Sequence, residues 1–290
     1  MPDTTPSPTA PLAPTGPFNL MERPAFGAML AFACGAMNAW TLINAGTFAT
    51  VQSGNVASSG IYLAMGEWGK VAFALFSVLA FGLGSLAVGI YMSVRARTGA
   101  RYSANVTGAL AALLVVLTLL VVTSAVETKH YHYIAYAVSF TAGALGNSFH
   151  KAHGMLFGAV AVTFVVQMAF NFLVQSRFSR NGINGYPNLK WSGIFFLVLL
   201  GFASGGAIGA LLVTLGGTKP SIGADPADIV ANGGFALLLP ALVPAIMSAL
   251  AVRESRAGRN PGPSANPHPN PSPNPNPNPH PNPNPNPNPN

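Results

Sequence analysis

The chain has little charge for its size. Of its 290 residues only 7% are Asp, Glu, Lys or Arg, whereas half are apolar. A soluble domain usually carries about 25% charged residues, so a soluble globule of this length would have too few to cover its surface. The shortage argues against a cytosolic enzyme, a coiled coil or a zinc module. It predicts a protein whose outer surface faces lipid.

Cysteine and acidic residues are scarcer still. The single cysteine, Cys34, excludes a disulfide framework and a metal site built from cysteines alone. The seven acids all lie outside the apolar runs, as expected because a charge at the bilayer centre costs about 2.5–3.5 kcal/mol. The sequence has no nucleophile–base pair, phosphate-binding glycine loop or zinc spacing. We therefore expect no enzyme, cofactor or metal, and the scattered basic residues predict no nucleic-acid partner.

Six apolar runs are candidates to cross the membrane, which takes roughly 20 helical residues. They cover residues 26–45, 71–94, 104–126, 133–149, 191–216 and 234–252. Two further segments are ambiguous, the polar stretch 47–65 and the longer stretch 155–176. The sequence thus predicts an all-α, polytopic transmembrane helix bundle with about six crossings and two re-entrant or broken segments.

The ends of the chain differ from its middle in composition. Residues 1–24 are rich in Pro, Thr and Ser, and residues 256–290 form a low-complexity tail that from residue 260 on is almost entirely Asn and Pro. Neither stretch can bury enough apolar surface to fold, so we predict disordered extensions. The transmembrane domain then spans residues 25–255, with halves at 25–126 and 133–255.

The distribution of basic residues predicts the orientation. With six crossings, eleven Lys and Arg residues fall on one side and three on the other. With eight crossings, the cytoplasmic count falls to five against nine. The positive-inside rule therefore favours six crossings with both termini cytoplasmic, most simply in the cell membrane.

Two short motifs recur in the two halves. The stretch Phe32–Ala36 matches Phe140–Ala144, and Phe81-x-x-Gly84 matches Phe202-x-x-Gly205. Three crossings per half is an odd number, so the halves would be inverted relative to each other. A 3+3 inverted repeat is a common transporter plan, with the substrate site at the interface of the repeats.

Polar residues interrupt the first half just after its first apolar run. Irregular backbone at membrane depth survives only inside protein or beside a wet cavity, so these residues predict a helix break that lines a cavity. The alternative is a water-satisfied loop at the membrane surface. The candidates are Asn38, Asn44, Gln52, Ser53, Gly54 and Asn55.

A second polar cluster occupies the matching place in the other half. Asn147 and His150 predict either a proton-handling gate or a cap at the membrane interface. Further along, Gln167, Asn171 and Gln175 repeat every four residues and so share one helical face. A stripe of this kind can line a pore or hydrogen-bond to a neighbouring helix.

Glycines at helical spacing predict close helix contacts, within the monomer or between protomers. They are Gly82 and Gly84 in the first half and Gly201, Gly205 and Gly209 in the second.

The stretches Ala33–Ala39 and Thr47–Asn55 resemble the YoaK-type family, bacterial multi-pass membrane proteins with a domain of unknown function. In that family the first stretch is a glycine-rich helix with an Asp-Ala pair, and the second ends in Thr-Gly-Asn. Here Asn38 stands where the family usually has Asp, and Ser53 replaces the Thr. The resemblance covers about residues 25–255 and implies a multi-pass membrane protein without naming a substrate. The change to Asn38 removes the acid on which a proton-coupled mechanism would depend.

These patterns favour a small-solute transporter or channel-like protein in the lipid bilayer, with a polar cavity between two repeat halves. An uncharged lining suits a small polar or weakly acidic solute better than a metal cation. The alternative is a non-transporting membrane scaffold or assembly protein. The glycine ridges also leave open a homo-oligomer.

Overall fold

The computed structural model describes residues 22–94, 100–149, 151–152, 155–156, 162–179, 182–183, 186–216 and 231–256. The predicted extensions lie outside the described residues except for their innermost positions. Within the described ranges the chain forms eight α-helices: α1 (Pro24–Ala45), α2 (Gln52–Ala64), α3 (Trp68–Val94), α4 (Ala100–Val122), α5 (Tyr131–Ser148), α6 (Val162–Phe178), α7 (Asn188–Leu215) and α8 (Leu238–Arg256). Two 3₁₀ segments, Thr128–His130 and Ala231–Leu237, precede α5 and α8. Strands β1 (Lys151–Ala152) and β2 (Met155–Leu156) form one short antiparallel pair.

The predicted helical bundle is confirmed, since each of the six predicted crossings coincides with one helix: α1, α3, α4, α5, α7 or α8. Within the described residues, five segments are long and apolar enough to span a membrane, and they belong to α1, α3, α4, α7 and α8. The sixth, α5, has 18 residues. Large apolar side chains remain exposed along the outer faces, for example Leu79, Leu83 and Leu86 on α3. Such faces suit contact with lipid chains.

Contacts between α1 and α5 show that these helices run in opposite directions. Phe26, near the start of α1, packs against Phe149, just after α5, with ring centroids 5.4 Å apart. Trp40, near the end of α1, packs against Tyr131 at the start of α5, with centroids 5.7 Å apart. The two halves therefore begin with antiparallel helices, as an inverted repeat requires.

Helix α3 runs parallel to α5 and so antiparallel to α1. The rings of Phe73 and Tyr136 lie 5.3 Å apart, and further along both helices Asn147 Nδ2 donates to the Ser85 carbonyl at 2.8 Å. Because α1 and α3 are antiparallel, α3 begins at the end of the bundle where α1 finishes. The segment between them, which contains α2, therefore enters the bundle and returns without crossing.

The depth of α2 follows from its contacts with α3. Asn55 Nδ2 donates to Ser77 Oγ at 3.2 Å, whereas Lys70 Nζ lies 5.5 Å from the centre of the Tyr62 ring. Ser77 lies about 14 Å along α3 at 1.5 Å per residue. Helix α2 thus starts inside the bundle and runs back to the surface, which confirms a re-entrant segment.

Helix α6 repeats this arrangement in the second half, where it runs antiparallel to α7. Asn188 Nδ2 donates to the Ser179 carbonyl at 3.1 Å, and Ser192 Oγ donates to the Ala169 carbonyl at 2.9 Å. Helix α7 in turn lies parallel to α1, since Gly201, Gly205 and Gly209 contact Ala28, Phe32 and Ala36 in order. With α5 and α7 antiparallel, the chain enters and returns on one side here as well.

The two described chain ends lie together. Arg23 Nη2 binds Glu254 Oε1 at 3.0 Å, joining the start of α1 to the end of α8. We call this end of the bundle the terminal face. The other end, where α1 finishes and α3 and α5 begin, is called the opposite face.

The repeated Phe-x-x-Gly motifs hold the halves together. A Cβ added at Gly35 would overlap the Phe202 carbonyl oxygen, and one at Gly205 would overlap that of Phe32. The same reciprocal contact joins α3 to α5, through Gly84 with Phe140 and Gly143 with Phe81. Only glycine permits this approach, which also brings Cα–H groups close to carbonyl oxygens. Each motif pair therefore ties a helix of one half to a helix of the other.

Gly82 differs from the other predicted packing glycines. A Cβ added there would meet no atom of the described residues within 4 Å, because Gly82 is exposed on the outer face of α3. Gly84, Gly201, Gly205 and Gly209 do lie in close contacts within the monomer. The sequence prediction grouped Gly82 with Gly84 although the two lie about 200° apart around α3, at 100° per residue, and so face different sides of the helix.

Candidate solute cavity

The loop between α1 and α2 is held inside the bundle by Asn38. Asn38 Nδ2 donates to Thr50 Oγ1 at 2.6 Å, and the Thr50 backbone N–H donates to Asn38 Oδ1 at 2.9 Å. Gly46 makes the turn into this loop possible, since it ends α1 with a φ of 64°, a conformation that favours glycine. Asn38 is only 7% exposed, and both ends of its amide are used.

Asn55 fixes the same loop from the α2 side. Its Oδ1 accepts from Thr47 Oγ1 at 2.9 Å and from the Phe48 backbone N–H at 3.0 Å. Its Nδ2 donates to the Phe48 carbonyl at 2.7 Å and to Gln52 Oε1 at 2.8 Å. Buried backbone groups need such partners, since unsatisfied ones in lipid cost several kcal/mol. Two amides thus replace the hydrogen bonds that a continuous helix would have supplied.

A cavity of about 1110 Å³ lies at the opposite face, enclosed by the re-entrant loop, α2, and the starts of α3 and α5. Its polar wall includes Asn44, Thr47 and Asn55, all of them buried. Much of the remaining wall is aromatic, with side chains from the loop, α2, α3 and α5: Phe48, Tyr62, Phe73, Phe76, Tyr131, His132, Tyr133 and Tyr136. The volume is large enough for a small organic molecule.

Two polar atoms in this wall are buried without a partner among the described residues. They are Asn44 Oδ1 and the Tyr131 hydroxyl, and each residue is only 2% exposed. The other end of the Asn44 amide is satisfied, since Nδ2 donates to the Trp40 carbonyl at 2.9 Å. A buried polar group left without a hydrogen bond costs about 1–3 kcal/mol. Ser103 Oγ on α4, away from the cavity, is also buried without a partner among the described residues.

Lysines mark the entrance to the cavity. Lys70 Nζ lies 2.5 Å from Glu67 Oε2, and Lys129 Nζ lies 2.5 Å from Glu127 Oε2. The hydrogen bond from Lys129 lowers the pKa of the Glu127 carboxyl, which therefore stays ionised to a lower pH than an isolated one. Both lysine side chains are more than half exposed, so each pair is weak and its lysine can turn toward another anion. None of the described side chains lining the cavity is a carboxylate.

The family model for proteins described as "Protein of unknown function (DUF1275)" matches residues 26–224. The chain belongs to this family. The match is consistent with the resemblance to the YoaK-type proteins. No curated protein and no solved structure matches the chain significantly.

In this member of the DUF1275 family, two of the ten predicted cavity residues, Asn44 and Asn55, line the cavity. Asn38 lies behind the re-entrant loop as its anchor. Gln52 is partly buried and donates to the Ala49 carbonyl at 2.8 Å. Ser53 is exposed on the outer side of α2. Gly54 lies against the Phe48 ring, where a Cβ would come within 3.0 Å.

The predicted residues of the second half lie elsewhere. Asn147 joins α5 to α3 through the Ser85 carbonyl. His150 lies outside the described residues. Gln167 and Asn171 are exposed on α6. Among the described residues, no group of three or more His, Cys, Asp or Glu side chains is arranged to hold a metal ion.

Sequence reasoning missed the aromatic wall of the cavity. Its densest part is Tyr131, His132, Tyr133 and Tyr136, which follows Lys129 at the start of α5. A run of tyrosine and histidine at a helix start is also typical of an aromatic belt at the membrane surface. Sequence alone does not distinguish a cavity wall from an aromatic belt. The fold does, because it places α2 and the re-entrant loop against this run.

Proposed function

We propose that this protein moves a small polar solute across the cell membrane through the cavity at its opposite face. The observation that carries the proposal is this cavity, whose lining residues Asn44 and Tyr131 each hold a buried polar atom without a partner among the described residues. Both atoms are closed off from the cavity in this conformation. During transport they would become accessible, so that Asn44 Oδ1 binds a donor of the solute and the Tyr131 hydroxyl binds a hydroxyl or carbonyl group. Membrane residence itself follows from the helices and the family.

The chemistry of the wall supports a neutral or weakly acidic solute. The wall offers amides, hydroxyls and aromatic faces, and Lys70 and Lys129 stand at the entrance. Lys129 can release its exposed partner Glu127 to meet a carboxylate, whereas a metal cation would find no carboxylate ligand among the described lining residues.

The basic residues support an orientation with the terminal face in the cytoplasm. Among the described side chains, Arg23, Arg177, Lys190, Arg253 and Arg256 belong to the terminal face, and Lys70 and Lys129 to the opposite face. By the positive-inside rule both chain ends would be cytoplasmic. The cavity would then open away from the cytoplasm.

The test is solute flux into liposomes that contain the purified full chain, followed by light scattering after osmotic shock with glycerol, urea, alanine or lactate. We expect at least one solute to enter faster than into empty liposomes. Tyr131→Phe removes only the unpartnered hydroxyl, so it should reduce that flux about tenfold, the effect of losing one hydrogen bond of roughly 1.4 kcal/mol.

Ser53→Ala is the matched control, because Ser53 is exposed on the other side of α2 and its flux should equal that of the native chain. If the native chain and both variants all match empty liposomes for every solute, the proposal is wrong and a non-transporting scaffold is favoured. Equal flux in native chain and Tyr131→Phe would place the pathway elsewhere in the molecule.

A further inference from the structure

Helix α6 carries a row of amides on its outer face, among exposed apolar side chains such as Phe164, Val174 and Phe178, and the rest of the described chain leaves this face uncovered. Gln167, Asn171 and Gln175 are all exposed, and they follow one another at intervals of four residues. At 100° per residue they form a stripe about 80° wide along more than two helical turns. We call these three residues the amide stripe.

Gln167, the innermost residue of the amide stripe, lies beside α7, a helix long and apolar enough to span a membrane. Ala169 is level with Ser192 of α7, to which its carbonyl is hydrogen-bonded, and Phe170 packs on Phe196 with ring centroids 5.4 Å apart. Since α6 and α7 are antiparallel, Gln167 lies deeper than Ala169. Counting from the start of α7 at 1.5 Å per residue places Gln167 roughly 10 Å below the terminal face. Water does not solvate an amide facing lipid at that depth.

The inverted repeat supplies an internal comparison for this face. Asn55 and Tyr62 lie on the face of α2 that packs against α3. Val165 and Phe172 lie on the buried face of α6, which packs against α7, and the two residues of each pair are seven positions apart. The positions equivalent to the amide stripe are therefore those two, six and ten residues after Asn55. They are the exposed residues Ala57 and Ile61 of α2 and Met65, which directly follows it.

The same surface is thus apolar in one half and hydrogen-bonding in the other. Apolar side chains on the outer face of α2 suit lipid. Gln167 on the outer face of α6 does not, because an unpaired polar group in hydrocarbon is costly. Packing inside the monomer does not explain the amides, since Gln167 has no hydrogen-bond partner among the described residues and Asn171 bonds only Gln175, at 3.3 Å.

We propose that the amide stripe is the contact surface of a homodimer, in which α6 of one protomer pairs with α6 of a second copy. A carboxamide both donates and accepts hydrogen bonds, so an uncharged stripe of amides is complementary to itself. Copies inserted in one orientation are related by a two-fold axis along the membrane normal, which makes the two α6 helices parallel. Each amide then faces the same residue of its partner, and interhelical amide hydrogen bonds stabilise such contacts.

The first experiment is cross-linking of the full chain in liposomes. Cys34, the only cysteine, is buried, so Cys34→Ala gives a cysteine-free background. In it we place Asn171→Cys in the stripe, Ile61→Cys at the equivalent position of α2, and Leu173→Cys, which is exposed on another side of α6. After oxidation with copper phenanthroline, we expect Asn171→Cys to form at least about tenfold more covalent dimer than either control, because disulfides need Cα atoms within about 7 Å. Equal cross-linking of all three would overturn the proposal.

The second experiment measures assembly without cysteines. Counting photobleaching steps of labelled protein in dilute liposomes should show dimers for the native chain. The triple variant Gln167→Leu, Asn171→Leu and Gln175→Leu should dimerise at least about tenfold more weakly, since several modest interhelical hydrogen bonds are lost together. Its melting temperature should stay near that of the native chain, because the three side chains are exposed in the described part of the monomer. A monomeric native chain, or a triple variant that dimerises as well as the native chain, would show that α6 is not the interface.

Discussion

At the scale of single residues, the amides of the first half have two different roles. Asn38 and Asn55 use their amide groups to hold the re-entrant loop, whereas Asn44 keeps one oxygen without a partner at the cavity wall. The composition of the stretch predicted that amides lie at a helix break. It did not predict which amide faces the cavity, because that depends on the path of residues 46–51 after the turn at Gly46.

Two glycines of α3 give a direct test of the packing between the halves. Gly84→Ala places a Cβ against the Phe140 backbone, which cannot move as a flexible side chain could, so the free energy of unfolding should fall by about 1–3 kcal/mol. Gly82→Ala places the same group in open space and should leave stability unchanged or raise it by up to about 1 kcal/mol through helix propensity. Denaturant unfolding in detergent measures both. If the two variants unfold alike, the close contact between α3 and α5 is not formed as described.

At the scale of helices, hydropathy was sufficient for the six crossings but not for α2 and α6. The predicted segments 47–65 and 155–176 are each long enough to span a membrane, so hydropathy left both open, whereas α2 itself has only 13 residues. Their role follows from direction: Phe26 with Phe149 and Trp40 with Tyr131 make α1 and α5 antiparallel. Only long-range contacts carry that information, and no local sequence pattern encodes them.

The re-entrant paths predict which loops share a side of the membrane. In a Cys34→Ala background, Glu127→Cys and Arg256→Cys should react with a membrane-impermeant maleimide from opposite sides. Two extra crossings by α2 and α6 would instead bring both positions to one side. By the orientation proposed above, intact cells should label Glu127→Cys, and Arg256→Cys should label only after the membrane is opened. Labelling of both positions in intact cells would contradict the six-crossing path.

At the scale of the whole molecule, the inverted arrangement was predictable from the sequence. The Phe-x-x-Gly motif recurs in both halves, and each half has three crossings, so the second half starts from the other side of the membrane. The chemical difference between the halves was less visible. The first half contributes most of a polar and aromatic cavity, whereas the equivalent inner face of α6 carries Val165 and Phe172, the latter stacked on Trp191 and Phe195. The repeat therefore preserves the helix contacts while the side chains on its inner surfaces differ.

A transporter with its cavity at the opposite face has to open at the terminal face during its cycle. Phe26 and Phe149 pack there with ring centroids 5.4 Å apart. In the Cys34→Ala background, Phe26→Cys with Phe149→Cys, joined by a short bis-maleimide, should reduce flux of the transported solute at least about tenfold, as expected when a required conformation is blocked. Each single variant treated with the same reagent is the control. Undiminished flux in the joined protein would indicate a pathway that needs no opening at this contact.

The glycine contacts also constrain how the protein is made. Gly35 on the first helix lies against Phe202, which follows it by 167 residues, the difference between the two positions. During synthesis α1 therefore enters the bilayer well before α7 exists, and it waits there with its glycine ridge covered only by lipid or by insertion factors. Neither half contains the glycine-contact partner of its own first helix, so a ribosome that stops after α4 leaves a product without the contacts that join α1 to α7 and α3 to α5. Assembly of this protein is complete only when the last third of the chain arrives.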